Sequence, residues 1–307
     1  MYRNILACIV LGSLGWLPQV HAQAWVPGKG HGQVWVNYQT IKISKRSNSL
    51  GDTQEFGEII DRGLYLNLDY GLTDRLAVNA ILPYGSNRYR GDKPHDPKIF
   101  FPDLHGQRLI DDGDFHGGWA DWAVGLRYQL PSKTWLVTPF VSYSQPSHDY
   151  VFFAHSQLGT HQWRLQAGAS VTRPIAPPWQ NLYWQARYAY SYMQPKFNRR
   201  VNHAVLALEL GYRITPNLSA HLQVEQQWSY NGIDGPQGFR NPDGSLNRPL
   251  FLYHEALSGV KYTKASIGAG YQVNDRYVVF ADFGKSLRAT NTDRIDFAIN
   301  LGVSRRF

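Results

Sequence analysis

Three groups of side chains in this 307-residue chain have the types that do chemistry. The first is Ser144, Ser147, His148, Asp149, His155, Ser156 and His161, crowded into one short stretch. A serine hydrolase needs a base within reach of its nucleophile and a third group that orients the base. The residue types are present, but no spacing among them fixes such a triad, and no enzyme activity is expected. The second group is Asp111, Asp112 and Asp114 with His95, His105 and His116, all between Asn87 and Gly117. Carboxylates at that density can hold Ca²⁺ through oxygen ligands. The full pattern of a calcium loop is missing, so neither a metal nor another cofactor is expected. The same stretch carries Phe100, Phe101 and Phe115, candidates for a plug or for contact with an apolar solute. The third group is dispersed: Asp69, Asp121, Arg127, Arg164, Arg187, His203, Glu209, His221, Glu225, Asp282 and Asp296 each stand among apolar neighbours. Their meaning depends on the elements that carry them.

Those elements have period two. Leu64, Leu66, Leu68 and Tyr70 alternate with Tyr65, Asn67 and Asp69. Past the turn Gly71-Leu72-Thr73-Asp74 the pattern resumes with Leu76, Val78, Ala80, Leu82 and Tyr84. It returns in Ala120 to Leu130, Trp163 to Val171, Leu182 to Tyr190, Ala204 to Tyr212 and Ala220 to Trp228. Strict alternation is the mark of a strand with one apolar and one polar face. About twelve such strands are expected, centred near residues 39, 64, 80, 124, 140, 167, 187, 207, 223, 262, 282 and 300. The tenth, drawn from His254 to Val273, is long, and its parity shifts near Thr263 and Lys264, which points to a bulge or an extension above a membrane.

Composition narrows the class. The chain is 43% hydrophobic and 14% aromatic, which is too apolar for a disordered protein, and its single Cys excludes a disulfide scaffold. A mean hydropathy of −0.39 excludes a bundle of membrane helices. Arg3, the uncharged run Ile5 to Leu17 and the small-residue site Val20-His21-Ala22 form the three parts of a secretory signal peptide. Cleavage after Ala22 is expected, removing residues 1–22 with Cys8 and leaving 23–307 as one barrel domain.

The connections decide between a soluble and a membrane β-protein. Every second one is short: Gly71 to Asp74, Pro131 to Thr134, Arg173 to Gln180, Ile214 to Asn217, Val273 to Asp275. The others are mostly longer: Arg46 to Gly57, Asn87 to Gly117, Pro146 to Thr160, Gln194 to Arg200, Asn231 to Tyr253, and a shorter Ala289 to Thr292. Short turns on one rim and long loops on the other are the order of outer-membrane barrels. The last strand, with Ile295, Phe297, Ile299, Leu301, Val303 and Phe307 on one parity, ends on an aromatic residue. It resembles the terminal strand that the barrel-assembly machinery recognises in Gram-negative outer-membrane proteins, with Phe297, Leu301, Val303 and Phe307 as the signal. The expected fold is therefore all-β: a transmembrane, antiparallel, up-and-down barrel of about twelve strands in the cell outer membrane of a Gram-negative bacterium, following a cleaved signal peptide.

On this reading the dispersed charges line a lumen. Their signs are mixed, so the wall is no simple ion funnel. Arg187, Glu209 and His221 are expected at similar heights on three adjacent strands, either as a rigid salt-bridge network or as a filter. Lys196, Arg199 and Arg200 near the outer rim suit lipopolysaccharide phosphates better than nucleic acid, which would want a contiguous basic surface.

Two segments carry a family resemblance: Tyr70-Gly-Leu-Thr-Asp-Arg-Leu-Ala-Val-Asn-Ala-Ile-Leu-Pro-Tyr84 and Asp121-Trp-Ala-Val-Gly-Leu-Arg-Tyr-Gln-Leu130. They resemble the transporter-like outer-membrane proteins grouped under the meta-pathway of phenol degradation. The resemblance covers less than a quarter of the chain and implies passage of hydrophobic or aromatic compounds, without implying functional residues. The expected protein is a monomeric channel or uptake protein for small molecules with a narrow charged lumen. The competing expectations are an outer-membrane enzyme acting on lipid and a closed structural or binding barrel.

Overall fold

The computed structural model describes residues 24–102, 106–132, 134–173 and 175–307, so the expected signal peptide and His105 lie outside the described residues. Thirteen strands form one sheet. In chain order they are β1 Gly32–Ser47, β2 Thr53–Gly71, β3 Leu76–Arg90, β4 His116–Trp119, β5 Trp122–Tyr128, β6 Leu136–Gln145 and β7 Arg164–Thr172. β8 Leu182–Met193, β9 Asn202–Arg213, β10 Leu218–Tyr230, β11 Lys261–Gln272, β12 Tyr277–Thr290 and β13 Thr292–Arg306 complete it. All pairings are antiparallel and join sequence neighbours, except that β3 pairs with both β4 and β5; β1 pairs with β13 and β2 with β3, so the sheet closes.

All twelve expected strand centres fall in strands of the barrel. The thirteenth, β4, adds no new position to the ring. It pairs with Tyr84 to Asn87 of β3, directly above the Leu76 to Ile81 stretch that pairs with β5. The N–H of Ala120 donates to the Pro83 carbonyl across the gap. β4 and β5 are thus two halves of one wall strand, interrupted at Ala120 and Asp121, and the barrel has twelve strands around.

The apolar parity faces outward. Leu64, Leu66, Val124, Leu126, Leu206, Leu208, Leu210, Leu222, Ile267, Phe283 and Leu301 are all exposed on the outer wall. Side chains of that kind belong in hydrocarbon, not in water. Exposed Tyr128, Trp135, Tyr212, Tyr271, Tyr277 and Phe307 ring the short-turn end, while Tyr84, Trp119, Tyr190, Tyr192 and Tyr230 ring the other. Phe307 closes the seam: its backbone exchanges hydrogen bonds with Gly32, and its ring stacks on Tyr70 at 6.4 Å. Gly32 is needed there, because a Cβ at that position would press on the Asp69 carbonyl at 2.5 Å and the Phe307 ring at 2.9 Å.

Two local expectations are corrected. The parity change near Thr263 is a bulge, with Thr263 opposite Arg288 and Lys264 opposite Ser286. The strand does not extend down to His254, however: the residues ahead of it form two short helices, α2 Arg248–Leu252 and α3 His254–Leu257. Pro249 at the first turn and the Asn247 side chain, which accepts from the Leu250 N–H, start the first of these. A third helical turn, α1 Pro97–Phe100, is capped in the same way by Asp96.

The outer face yields a direct test. Leu208→Arg puts a cation on the lipid side of β9 and should cost about 2–4 kcal/mol at mid-bilayer. Urea unfolding in lipid vesicles measures it; an unchanged midpoint would mean that this face is not in lipid.

Candidate functional site

The lumen is polar, and it is filled at both ends. At the short-turn end a belt of side chains crosses the wall strands. Asn67 donates to Asn37 at 3.0 Å, Asn37 to Asn300 at 2.8 Å, and Asn300 to Asp282 at 2.9 Å. Asp282 then meets His221 Nε2 at 3.0 Å. β11 lies between those last two strands, and its residue at that level is Gly268, which is opposite both. A Cβ at Gly268 would run into Asp282 Oδ1 and His221, so the glycine lets the pair reach across.

Residues 24–26 occupy the space inside this belt. The Ala24 N–H donates to Gln185 Oε1 at 3.0 Å, Thr138 Oγ1 donates to the Ala24 carbonyl at 2.6 Å, and the Val26 N–H donates to Gln129 Oε1 at 3.3 Å. Arg127 reaches the Trp25 carbonyl at 3.4 Å and holds Asp69 at 2.5 Å. Ala24 is fully buried. Nothing in the sequence pattern announces this insertion, since residues 24–27 carry no periodicity.

At the opposite end the long loops fold inward as a cap. Phe153, Val201, Ile233, Phe239, Phe251 and Leu257 form its buried centre. Phe100 and Phe101 pack on it, at 5.7 and 4.9 Å from Phe153. Phe115 goes elsewhere and lies beneath the guanidinium groups of Arg62 and Arg88, at 4.1 and 4.7 Å.

Three histidines from three loops meet in this cap. His95 stacks on His155 at 4.0 Å and 20°, and stands edge-on to His254 at 5.0 Å. His155 Nε2 donates to the Lys93 carbonyl at 2.9 Å, which leaves its Nδ1 to accept from Arg46 at 3.5 Å. His254 Nδ1 donates to the Phe251 carbonyl at 2.7 Å. Each carbonyl fixes which ring nitrogen of His155 and His254 carries a proton. Burial pushes all three imidazoles down, His254 to about 3, with Arg46 adding to the effect at each. Asp111 ties the loops together: it accepts from the N–H groups of His95 and His155 and from both the N–H and hydroxyl of Ser156.

His95, Asp111 and His155 place ligand atoms within 4.8 Å of one another. They do not make a chelate. An imidazole binds a metal in its own plane at about 2.0–2.1 Å, and two rings stacked 4.0 Å apart at 20° cannot both aim lone pairs at one ion. The Arg46 guanidinium, bound to Asp293 at 3.0 Å, already supplies the local positive charge.

The serine and histidine stretch is dispersed in the same way. Ser147 Oγ donates to the Trp119 carbonyl at 2.8 Å and sits 2.8 Å from His148 Nδ1. Asp149, the acid next in line, pairs with His161 Nε2 at 3.1 Å instead. His155 and Ser156 are built into the cap, and Ser144 lines the lumen. Nucleophile, base and orienting acid are not assembled.

Beneath the cap lies a chamber of about 190 Å³. Its walls include Asp61, Tyr65, Asp121, Arg164, Ser191, His203, Tyr262 and Lys264, and its ceiling includes Gln157, Leu158 and Ala256. The expected trio of Arg187, Glu209 and His221 does not form one network. Arg187 donates to Gln166 at 2.9 Å and lies 4.6 Å over Phe140; Glu209 takes the Tyr183 hydroxyl; His221 belongs to Asp282. Glu225 pairs with Lys264 at 3.3 Å. Asp296 is the extra residue of a bulge, since Phe297 faces Lys42 while Ile295 faces Ile43.

The chain matches no described protein family in sequence, and no characterised protein sequence. In structure it is similar to the COG4313 outer membrane channel from Pseudomonas putida F1, with a TM-score of 0.68, 17% identity, and coverage of 94% of this chain and 99% of that one. It is also similar to the translocator domain of the autotransporter NalP from Neisseria meningitidis, with a TM-score of 0.54, 11% identity, and coverage of 91% and 89%. The fold is that of a Gram-negative outer-membrane barrel.

The cap should loosen in acid. Because the buried imidazoles bind protons less well than exposed ones, stability is complete above the ordinary histidine pKa of about 6.5. It is lost as pH falls below that value, by up to about 1.4 kcal/mol per pH unit for each histidine released. Amide exchange of the loops around His155 and His254, corrected for intrinsic rate, should speed up relative to the strands as pH is lowered. Protection that does not change with pH would contradict this.

Proposed function

We propose that this protein is a gated channel for small solutes in the Gram-negative outer membrane, acting as a monomer and without enzymatic activity. The observation that carries the reading is the chamber: a space within the lumen lined by charged, polar and apolar side chains, with the loop residues Gln157, Leu158 and Ala256 over it. A barrel of this size lies between small barrels filled by their own side chains and the wide porins. A purely structural barrel would need no space at its centre. Here the lower closure hangs on a few hydrogen bonds to residues 24–26, and the upper one is loop against loop.

Passage then requires both closures to open. The similarity to an outer membrane channel in fold supports the reading. The resemblance of residues 70–84 and 121–130 to the phenol meta-pathway proteins supports small aromatic compounds as one class of cargo. The rim residues Lys196, Arg199 and Arg200 are proposed to meet lipopolysaccharide. Lys196 turns partly inward, onto the His161 carbonyl at 3.2 Å and the Tyr253 ring, and Arg200 covers Tyr192. The C-terminal residues of β13, with Phe307 locked against β1, are proposed as the signal read by the assembly machinery. Residues 1–22 are proposed as the removed signal peptide.

Planar bilayer recording tests the channel directly. The chain spanning 23–307 should show brief, low-amplitude openings. Deleting residues 23–27 should lengthen or enlarge them, since the lower closure is gone. Phe153→Ala, which should cost the cap about 3–5 kcal/mol, should raise the open fraction from the other side. Silence from the intact chain and both variants would overturn the proposal in favour of a closed barrel.

A further inference from the structure

The chamber wall contains ionisable side chains that make no side-chain hydrogen bond among the described residues. Most ionisable groups around it are engaged: Lys264 with Glu225, Asp293 with Arg46, Glu255 beside His254 at 3.4 Å, and Arg62 over Phe115. Three are not. Asp61 makes no hydrogen bond or ion pair among the described residues, and its Oδ1 is buried. His203 Nδ1 is buried and unbonded in the same way. Arg164 also has no hydrogen-bonding partner among the described residues. The acid it faces electrostatically, Asp121, also accepts from the Tyr150 hydroxyl at 2.5 Å.

Their placement is ordered. Asp61 is on β2, and His203 is on β9, six strands around a ring of twelve and so on the opposite wall. Arg164, on β7, lies on the same far side as His203 and interacts with it electrostatically. The chamber therefore holds a lone carboxyl on one wall and a guanidinium with an imidazole on the other, across about 190 Å³. Buried polar groups left without partners are costly and rare. When they face one cavity from opposite sides, the simplest way to satisfy them is a solute with complementary ends. A cavity of roughly 150 Å³ admits a ring of six carbons, so the solute is small.

We infer that the chamber is a recognition site for a small zwitterion, whose ammonium end meets Asp61 and whose carboxylate end meets Arg164, with His203 beside it. The inference rests on the channel reading for its purpose, since such a site would select what passes. Charged groups lining a pore set selectivity in this way.

Titration calorimetry on the purified barrel, with 4-aminobutyrate, butyrate and butylammonium as probes, separates the possibilities. The zwitterion should bind at least about tenfold more tightly than either single-charge probe, which corresponds to about 1.4 kcal/mol. Asp61→Asn should abolish its advantage over butyrate, and Arg164→Gln its advantage over butylammonium. Arg164→Lys should keep part of it. If the variants do not fold, the order of the three probes on the unaltered chain remains the test. Equal affinities, or no binding of any probe, overturn the inference. Conductance of the same preparation is read separately: a barrel that conducts without discriminating keeps the channel and loses this site, whereas one that binds and never conducts loses the channel.

Discussion

Every backbone N–H and C=O in a membrane-spanning wall must be bonded within the protein, because hydrocarbon offers no partner. For strands that requirement has one solution, a closed ring, and the rest of the structure follows from it. Closure sets the seam at Gly32 and Phe307, where one residue without a Cβ makes room for the last ring. It sets the parity, with leucines to lipid and charges inward. It also creates a lumen whose polar side chains must satisfy one another or be satisfied by what enters.

The lumen side chains resolve that demand in layers. Near the short turns, side chains from Asn67 to His221 bond one to the next, and Ala24 and Val26 add bonds to Gln185, Thr138 and Gln129. At the loop end, aromatic packing replaces polar pairing, with carbonyls accepting from His155 and His254 and Arg46 meeting the other His155 nitrogen. The chamber between them keeps Asp61 Oδ1 and His203 Nδ1 without a hydrogen-bonding partner among the described residues.

The wall was legible in the sequence because period two needs only near neighbours: Leu206, Leu208 and Leu210 state their face without reference to any other strand. The bulge at Thr263 was legible for the same reason. The cap was not, since His95, His155 and His254 come from three separate loops and meet only when the ring has closed. The apolar surroundings of His254 read as alternation, whereas Pro249 and the Asn247 cap start a helix just ahead of it. Of the charges expected on the inner face, Arg187 donates to Gln166 and His221 pairs with Asp282. Height along the strand suggested Arg187 with Glu209 and His221, while the decisive signal was Gly268, which lets His221 reach a strand further. The insertion of Ala24 to Val26 had no sequence signal at all.

The central claim is that the chamber is closed at both ends yet reachable. Ser191 lines it and is buried. With Cys8 in the segment expected to be removed, Ser191→Cys would carry the only thiol of residues 23–307. Its labelling by a small charged methanethiosulfonate, followed by mass spectrometry, reads the opening directly. The account predicts a slow rate that reaches a plateau as reagent concentration rises, because opening limits it. A rate that climbs in proportion to reagent at every concentration would mean an open lumen, and no labelling at all would mean a permanently sealed one; either result contradicts the account.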